Sequence, residues 1–213
     1  SPLSKLPFSK GLQASDPGRS HTFGWRERGH SMPIMSNPPD PSPAKPRIVC
    51  PPGACDSHIH VFGPAGRYPF TAKAAYHSPD ALPETYIALQ KVLGLERAVI
   101  IHPTALGFDH ARTLDAMTAY PDRFRGIAVP APETSDAELQ RMHKLGMRGI
   151  RVAMVKHYPN AQGLEGDLIK RAATLGWHTQ FLIDGEMLPD VEKTLMALPG
   201  DVVVDHMGRV PAK

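Results

Sequence analysis

CDSHIHVF, residues 55 to 62, sets two histidines two positions apart in a short apolar run. Side chains at i and i+2 of a strand leave the same face, so His58 and His60 are predicted to point together where this strand ends. A chain with 11 histidines makes such a pair weak on its own. Metal ligands, a pair that polarises an oxygen, and chance neighbours all fit it. Its meaning depends on the elements around it.

The rest of the chain is regular. PETYIALQKVLG (83–94) reads as a helix with Gly94 at the C-cap. RAVIIHP (97–103) is a buried strand, and DHARTLDAMTAYP (109–121) a helix stopped by Pro121. FRGIAVP (124–130) is the third strand. SDAELQRMHKLG (135–146) opens with Ser135 and Glu138 in capping-box spacing and closes on Gly146. MRGIRVAMV, a helix in LEGDLIKRAATLG, WHTQFLID, a helix in MLPDVEKTLMALPG and DVVVDHMG complete six strands with five helices between them.

Continuous Val/Ile-rich strands alternating with helices predict an α/β fold with a parallel sheet covered by helices. An open doubly wound sheet and a (β/α)8 TIM-type barrel both satisfy that order. The glycine fingerprint of the former, G-x-G-x-x-G after the first strand, is not in the sequence. Polar residues gather instead at successive strand ends: His58 and His60, His102 and Thr104, Arg151, Gln180 and Asp184, then His206 and Arg209. In a barrel those ends share one face, where the site is built. The barrel is the better reading. Six units stand where a closed barrel needs eight, so residues 51–213 are expected to be the N-terminal three-quarters of such a domain.

Residues 1–50 differ in texture, with nine prolines and no sustained period. Such a segment buries too little apolar surface to offset its ordering entropy, and it is expected to be a disordered leader. A transit peptide or a docking arm is the structured alternative. The chain has 24 basic and 21 acidic residues, an excess too small to point to nucleic acid. No apolar run approaches the ~18 residues of a membrane span. Two cysteines, Cys50 and Cys55, make no disulfide framework. A cytoplasmic protein is expected.

DSHIHVFGPAGRYPF, GMRGIRV and VVVDHMGR, in this order and spacing, resemble the amidohydrolase superfamily, and within it the lactonase branch of the pyrone dicarboxylate hydrolases. The resemblance spans about Ala54 to Pro211. It implies hydrolysis of a carboxylated lactone in the degradation of aromatic compounds, without nucleic-acid or membrane partners. On that pattern His58, His60 and His206 polarise the lactone carbonyl, and Arg151 and Arg209 hold substrate carboxylate. Tyr76 and Thr104 match substrate-contacting positions. His157 stands where the branch has an arginine, with Lys156 beside it. The branch works without metal, and its water-activating aspartate on the eighth strand falls beyond Lys213.

Three functions therefore stand open: a metal-independent lactonase, a metal-dependent amidohydrolase or decarboxylase with His58, His60 and His206 on zinc or manganese, and an inactive fragment or interaction module. Structural alternatives accompany each residue. His206 also reads as a hydrogen-bonded core histidine, and Arg151 and Arg209 as barrel-rim ion pairs. Asp56 and Asp205 are expected to alternate outward and anchor loops. His102 is equally a contact or a structural group. His77, His110, His143 and His178 read as surface or helix positions, and Met142, Met147 and Met154 as core filler.

Overall fold

Six parallel strands form the sheet, each beside its neighbour in sequence. They are β1 (Cys55–Ile59), β2 (Arg97–Ile101), β3 (Phe124–Ala128), β4 (Met147–Ala153), β5 (His178–Leu182) and β6 (Val202–Val204). The structure is a computed structural model that describes residues 34–155 and 167–210. Between successive strands run α1 (Pro83–Leu93), α2 (Ala111–Ala119), α3 (Asp136–Lys144), α4 (Leu168–Thr174) and α5 (Leu188–Met196). The result is a half-barrel, with β1 and β6 the outer strands of the described sheet.

The local signals act where the sequence put them. Ser135 Oγ accepts the Glu138 backbone N–H at 3.2 Å and starts α3. Gly94 ends α1 in the left-handed conformation, with φ of 75°, which a side chain would resist. Pro83 sits at the start of α1, where its missing N–H costs nothing. The strands bury Ile100, Phe124, Met147, Ile150 and Phe181 almost completely in one cluster with Met117 and Leu139 from the helices and Trp177 from just before β5. Apolar burial of this kind stabilises by roughly 25 cal/mol per Å². Met142 and Met147 are core filler as expected, with Met154 packed at the core's margin.

Register carries the functional side chains to one level. Arg151 of β4 pairs with Gln180 of β5, and Gln180 with Val203 of β6. Asp205 and His206 come immediately after, in the turn Asp205–Arg209. Within the segment read as a leader, Ile34–Met35 run parallel to Tyr76–His77 as a two-stranded ribbon. Among the described residues no helix is long and apolar enough to cross a membrane.

Candidate active site

The carboxyl end of β1 presents the two histidines as the strand period requires. Their rings meet edge to face with centroids 5.1 Å apart. The turn after β6 brings the His206 ring to 4.8 Å from that of His58. Three imidazoles therefore converge from the two outer strands of the half-barrel, and Arg151 reaches them from β4.

The group that ties them together is Asp205. Its Oδ1 lies 3.1 Å from His58 Nδ1, accepts the His206 backbone N–H at 3.1 Å, and stands 3.4 Å from Gln180 Nε2. Its Oδ2 is held by the Arg151 guanidinium in an ion pair that leaves both side chains 4% exposed. Burial alone would raise the Asp205 carboxyl, but the hydrogen bond from His58 and the charge of Arg151 outweigh it and hold the group at about 2. The expectation that Asp205 alternates outward is thus corrected. β6 ends at Val204, and His206, Met207, Gly208 and Arg209 all take left-handed backbone angles. Val202 and Val204 face the core while Val203 lies in register with Gln180 and Arg151, so Asp205, two residues on, points inward with them, and the left-handed turn that follows leaves His206 half exposed. Asp56 anchors locally, as expected: it accepts from the His58 backbone N–H and from the Tyr86 hydroxyl.

Hydrogen positions are set by the partners. His60 Nδ1 is 2.8 Å from the Ile101 carbonyl oxygen, which can only accept, so Nδ1 carries the hydrogen. Burial lowers the His60 pKa to about 4, with the neighbouring His58 and Arg151 adding to it against that hydrogen bond. The ring is neutral at pH 7 and its Nε2 is a bare lone pair. His58 Nε2 is also buried and lacks a hydrogen-bond partner among the described residues. His206 Nε2 lies 3.5 Å from both Arg151 and Asp205 Oδ2. Its pKa is lowered, chiefly by burial, with His58, Arg151 and Arg209 acting in the same direction and Asp205 against it.

The other predicted residues are placed differently. Arg209 pairs with Asp184 at 3.3 Å, both about half exposed, on the rim. Tyr76 packs on Phe62, with ring centroids 6.2 Å apart, and Phe62 stands 6.1 Å from His60. Thr104 is buried in the turn Thr104–Leu106, whose Ala105 and Leu106 join Phe62 in a small apolar cluster. His157 and Lys156 lie outside the described residues. His102 is structural: its ring nitrogens engage Thr113 Oγ1 at 3.1 Å and the Gly107 carbonyl at 3.0 Å, and burial pushes its pKa well down. His110, read as a surface or helix position, is buried at the start of α2, where its Nε2 accepts the Val129 N–H at 3.0 Å. No local period announces that contact, because β3 supplies the donor from another unit.

As a metal site the arrangement fits in part. His58, Asp205 and His206 offer ligand atoms within 4.8 Å of one another. A histidine that donates Nδ1–H to a carboxylate or carbonyl and shows a bare Nε2 is prepared for a metal, and His58 and His60 are both so prepared. Asp205, however, already has its charge balanced by Arg151, and that cation also abuts His206 Nε2.

Parallel strands wound with helices, carrying histidines on the first strand and in the turn after the sixth, define an amidohydrolase-type (β/α) barrel. The amidohydrolase family model matches residues 55–213, and the chain belongs to that family. It is 38% identical over 172 residues to the 2-pyrone-4,6-dicarboxylate hydrolase of Comamonas testosteroni, covering 79% of this chain and 56% of that one. It is 33% identical over 167 residues to the 4-sulfomuconolactone hydrolase of Hydrogenophaga intermedia, covering 77% and 55%. Among solved structures, an Agrobacterium tumefaciens protein in its apo form superposes with a TM-score of 0.72 at 25% identity, over 80% of this chain and 60% of that one. A probable 2-pyrone-4,6-dicarboxylic acid hydrolase from Acinetobacter baumannii, with citric acid bound, superposes with a TM-score of 0.64 at 26% identity, over 74% and 60%. The chain spans little more than half the length of the curated relatives it matches.

Proposed function

We propose that this chain carries the histidine side of a lactonase site that opens a small carboxylated lactone, of pyrone or muconolactone type, in aromatic compound degradation. The observation that carries the reading is the convergence of His58, His60 and His206 beside the buried Arg151–Asp205 pair. In the reaction, water oxygen bonds to the ring carbonyl carbon, the ring C–O bond breaks, and the released oxygen takes a proton. His206, half exposed in the turn after β6, donates a ring N–H to the carbonyl oxygen as charge develops there. The bare Nε2 of His60 accepts a hydrogen of the attacking water. Only donors stabilise an oxyanion, so the three imidazoles divide this work rather than share one role.

The two arginines divide likewise. Displacing Arg151 from Asp205 would strand a buried carboxylate, at a cost of about 3–5 kcal/mol. The rim pair Arg209–Asp184 is exposed and worth roughly 0–1 kcal/mol, so a substrate carboxylate can take Arg209 over. Tyr76, Thr104 and His157 complete the proposed substrate wall. The two cysteines are free thiols, which suits the reducing cytoplasm in which this chemistry is placed.

A second reading rests on the prepared Nε2 atoms of His58 and His60: with His206 they would hold zinc or manganese. A bound ion would polarise the carbonyl and acidify water. The Arg151 guanidinium against His206 favours the metal-free form. The test is hydrolysis of 2-pyrone-4,6-dicarboxylate and of muconolactones by the purified chain, monitored by loss of pyrone absorbance and by acid release, after chelation and with added zinc or manganese. Turnover that survives chelation supports the first reading. Turnover that needs metal supports the second, and none under either condition with a folded chain favours the inactive-fragment expectation over both.

A further inference from the structure

β6 and the turn after it aim the Asp205 carboxylate at the face that carries Arg151 and Gln180, where His58 and Arg151 are its side-chain partners. We propose that Asp205 is a positioning residue that holds the hydrogen of His58 on Nδ1, leaving Nε2 as a bare acceptor between His60 and His206, and that Arg151 serves to balance Asp205. The inference deepens the lactonase reading and rests on it for its catalytic consequence, though not for its geometry.

Three observations carry it. Asp205 Oδ1 stands 3.1 Å from His58 Nδ1, and an ionised carboxylate only accepts, so the hydrogen of the neutral ring lies between them. Arg151 Nη2 takes the other oxygen, which fixes the carboxylate plane and offsets its burial. His58 Nε2 is buried with no partner among the described residues, in the space its neighbours' rings define. A neutral imidazole without such a carboxylate exchanges between two hydrogen placements. In the wrong one, Nε2–H would face the site as a donor and could not accept a hydrogen from water. The backbone carbonyl of Ile101 does the same work for His60. β1 therefore presents two acceptors, each set by a partner from a different strand or turn.

The experiment is nitrogen-15 NMR of histidine-labelled full chain at a pH where His58 is neutral, for the wild type, Asp205→Asn and Asp205→Glu. In the wild type, His58 is expected with hydrogen on Nδ1 alone. In Asp205→Asn, whose amide oxygen cannot serve His58 and Arg151 at once, the Nε2–H form appears; Asp205→Glu restores the wild-type pattern. If the lone asparagine unfolds the chain by stranding Arg151, the double variant Asp205→Leu/Arg151→Met removes the charge pair and the acceptor for Nδ1 together and gives the same readout. Hydrogen on Nε2 in the wild type, or an unchanged pattern in the folded single asparagine variant or the folded leucine/methionine double variant, overturns the proposal. Where lactone turnover is measured, kcat is expected to fall ~10²–10⁴-fold in Asp205→Asn with KM little changed. Absence of lactone turnover in the wild type counts against activity of this chain and leaves the NMR result standing.

Discussion

His110 gives the protein a specific weakness to acid. The ring is buried, and its Nε2 accepts the Val129 N–H from the end of β3. A proton added at Nε2 would set two N–H groups against each other. Burial lowers its pKa to about 4, against the bond to Phe108 and the charges of Asp109 and Glu138, while Arg141 opposes protonation. The unfolded chain keeps the ordinary value near ~6.5, so from there down to about 4 the unfolded state binds a proton that the folded state refuses. Stability is complete above about pH 6.5 and falls with acidification through that window. At about 1.4 kcal/mol per pH unit, the drop from about 6.5 to about 4 costs about 3 kcal/mol, a large share of a typical stability of about 5–15 kcal/mol. Urea unfolding at half-unit steps from about pH 7 to about pH 4.5 spans that window and reads the loss directly, with His110→Gln as comparison. Glutamine keeps an acceptor but does not titrate, so the variant is less stable at neutral pH and loses less on acidification. Equal losses in the two proteins would refute the assignment of the acid sensitivity to His110.

Other outcomes rest on the same contacts. Arg151→Met alone should destabilise by about 3–5 kcal/mol, and pairing it with Asp205→Asn should recover most of that, because a buried charge is costly chiefly when its partner is removed; thermal melts of the three variants test it. Arg209→Gln should raise KM for a carboxylated lactone ~10–150-fold with kcat nearly unchanged, as loss of a charged hydrogen bond of about 1.5–3 kcal/mol requires, whereas an unaltered KM would return Arg209 to a rim ion pair. Ser135→Ala removes the cap of α3 and should cost about 1 kcal/mol, read from the urea midpoint. Chelation should leave both the melting temperature and any lactone turnover unchanged, and elemental analysis of the same sample checks that no zinc or manganese was retained.

The order of strands and helices was legible because its signals are local. Ser135 with Glu138, Gly94, Pro121 and runs such as RAVIIHP act within a turn or two of themselves, and the parallel sheet comes from their alternation. The pairing of His58 with His60 was legible for the same reason, since a strand's period is a property of its own backbone. Charge, hydrogen placement and burial were not. Arg151 and Asp205 stand 54 residues apart, and nothing near either one says that the arginine is spoken for. His60 owes its acceptor nitrogen to a carbonyl 41 residues away. His110 owes its burial partly to a donor at the end of the next strand, and His102 is closed in by the turn and helix after its own strand. Asp205 faces inward because the register of β4, β5 and β6 sets Val203, and with it Asp205, on the face of Gln180 and Arg151, which VVVDHMG alone does not reveal. The sequence by itself determined the elements and the histidines they carry; the tertiary structure decided which nitrogen, which charge and which partner each presents, because those depend on the dielectric and on donors that only folding brings within about 3 Å.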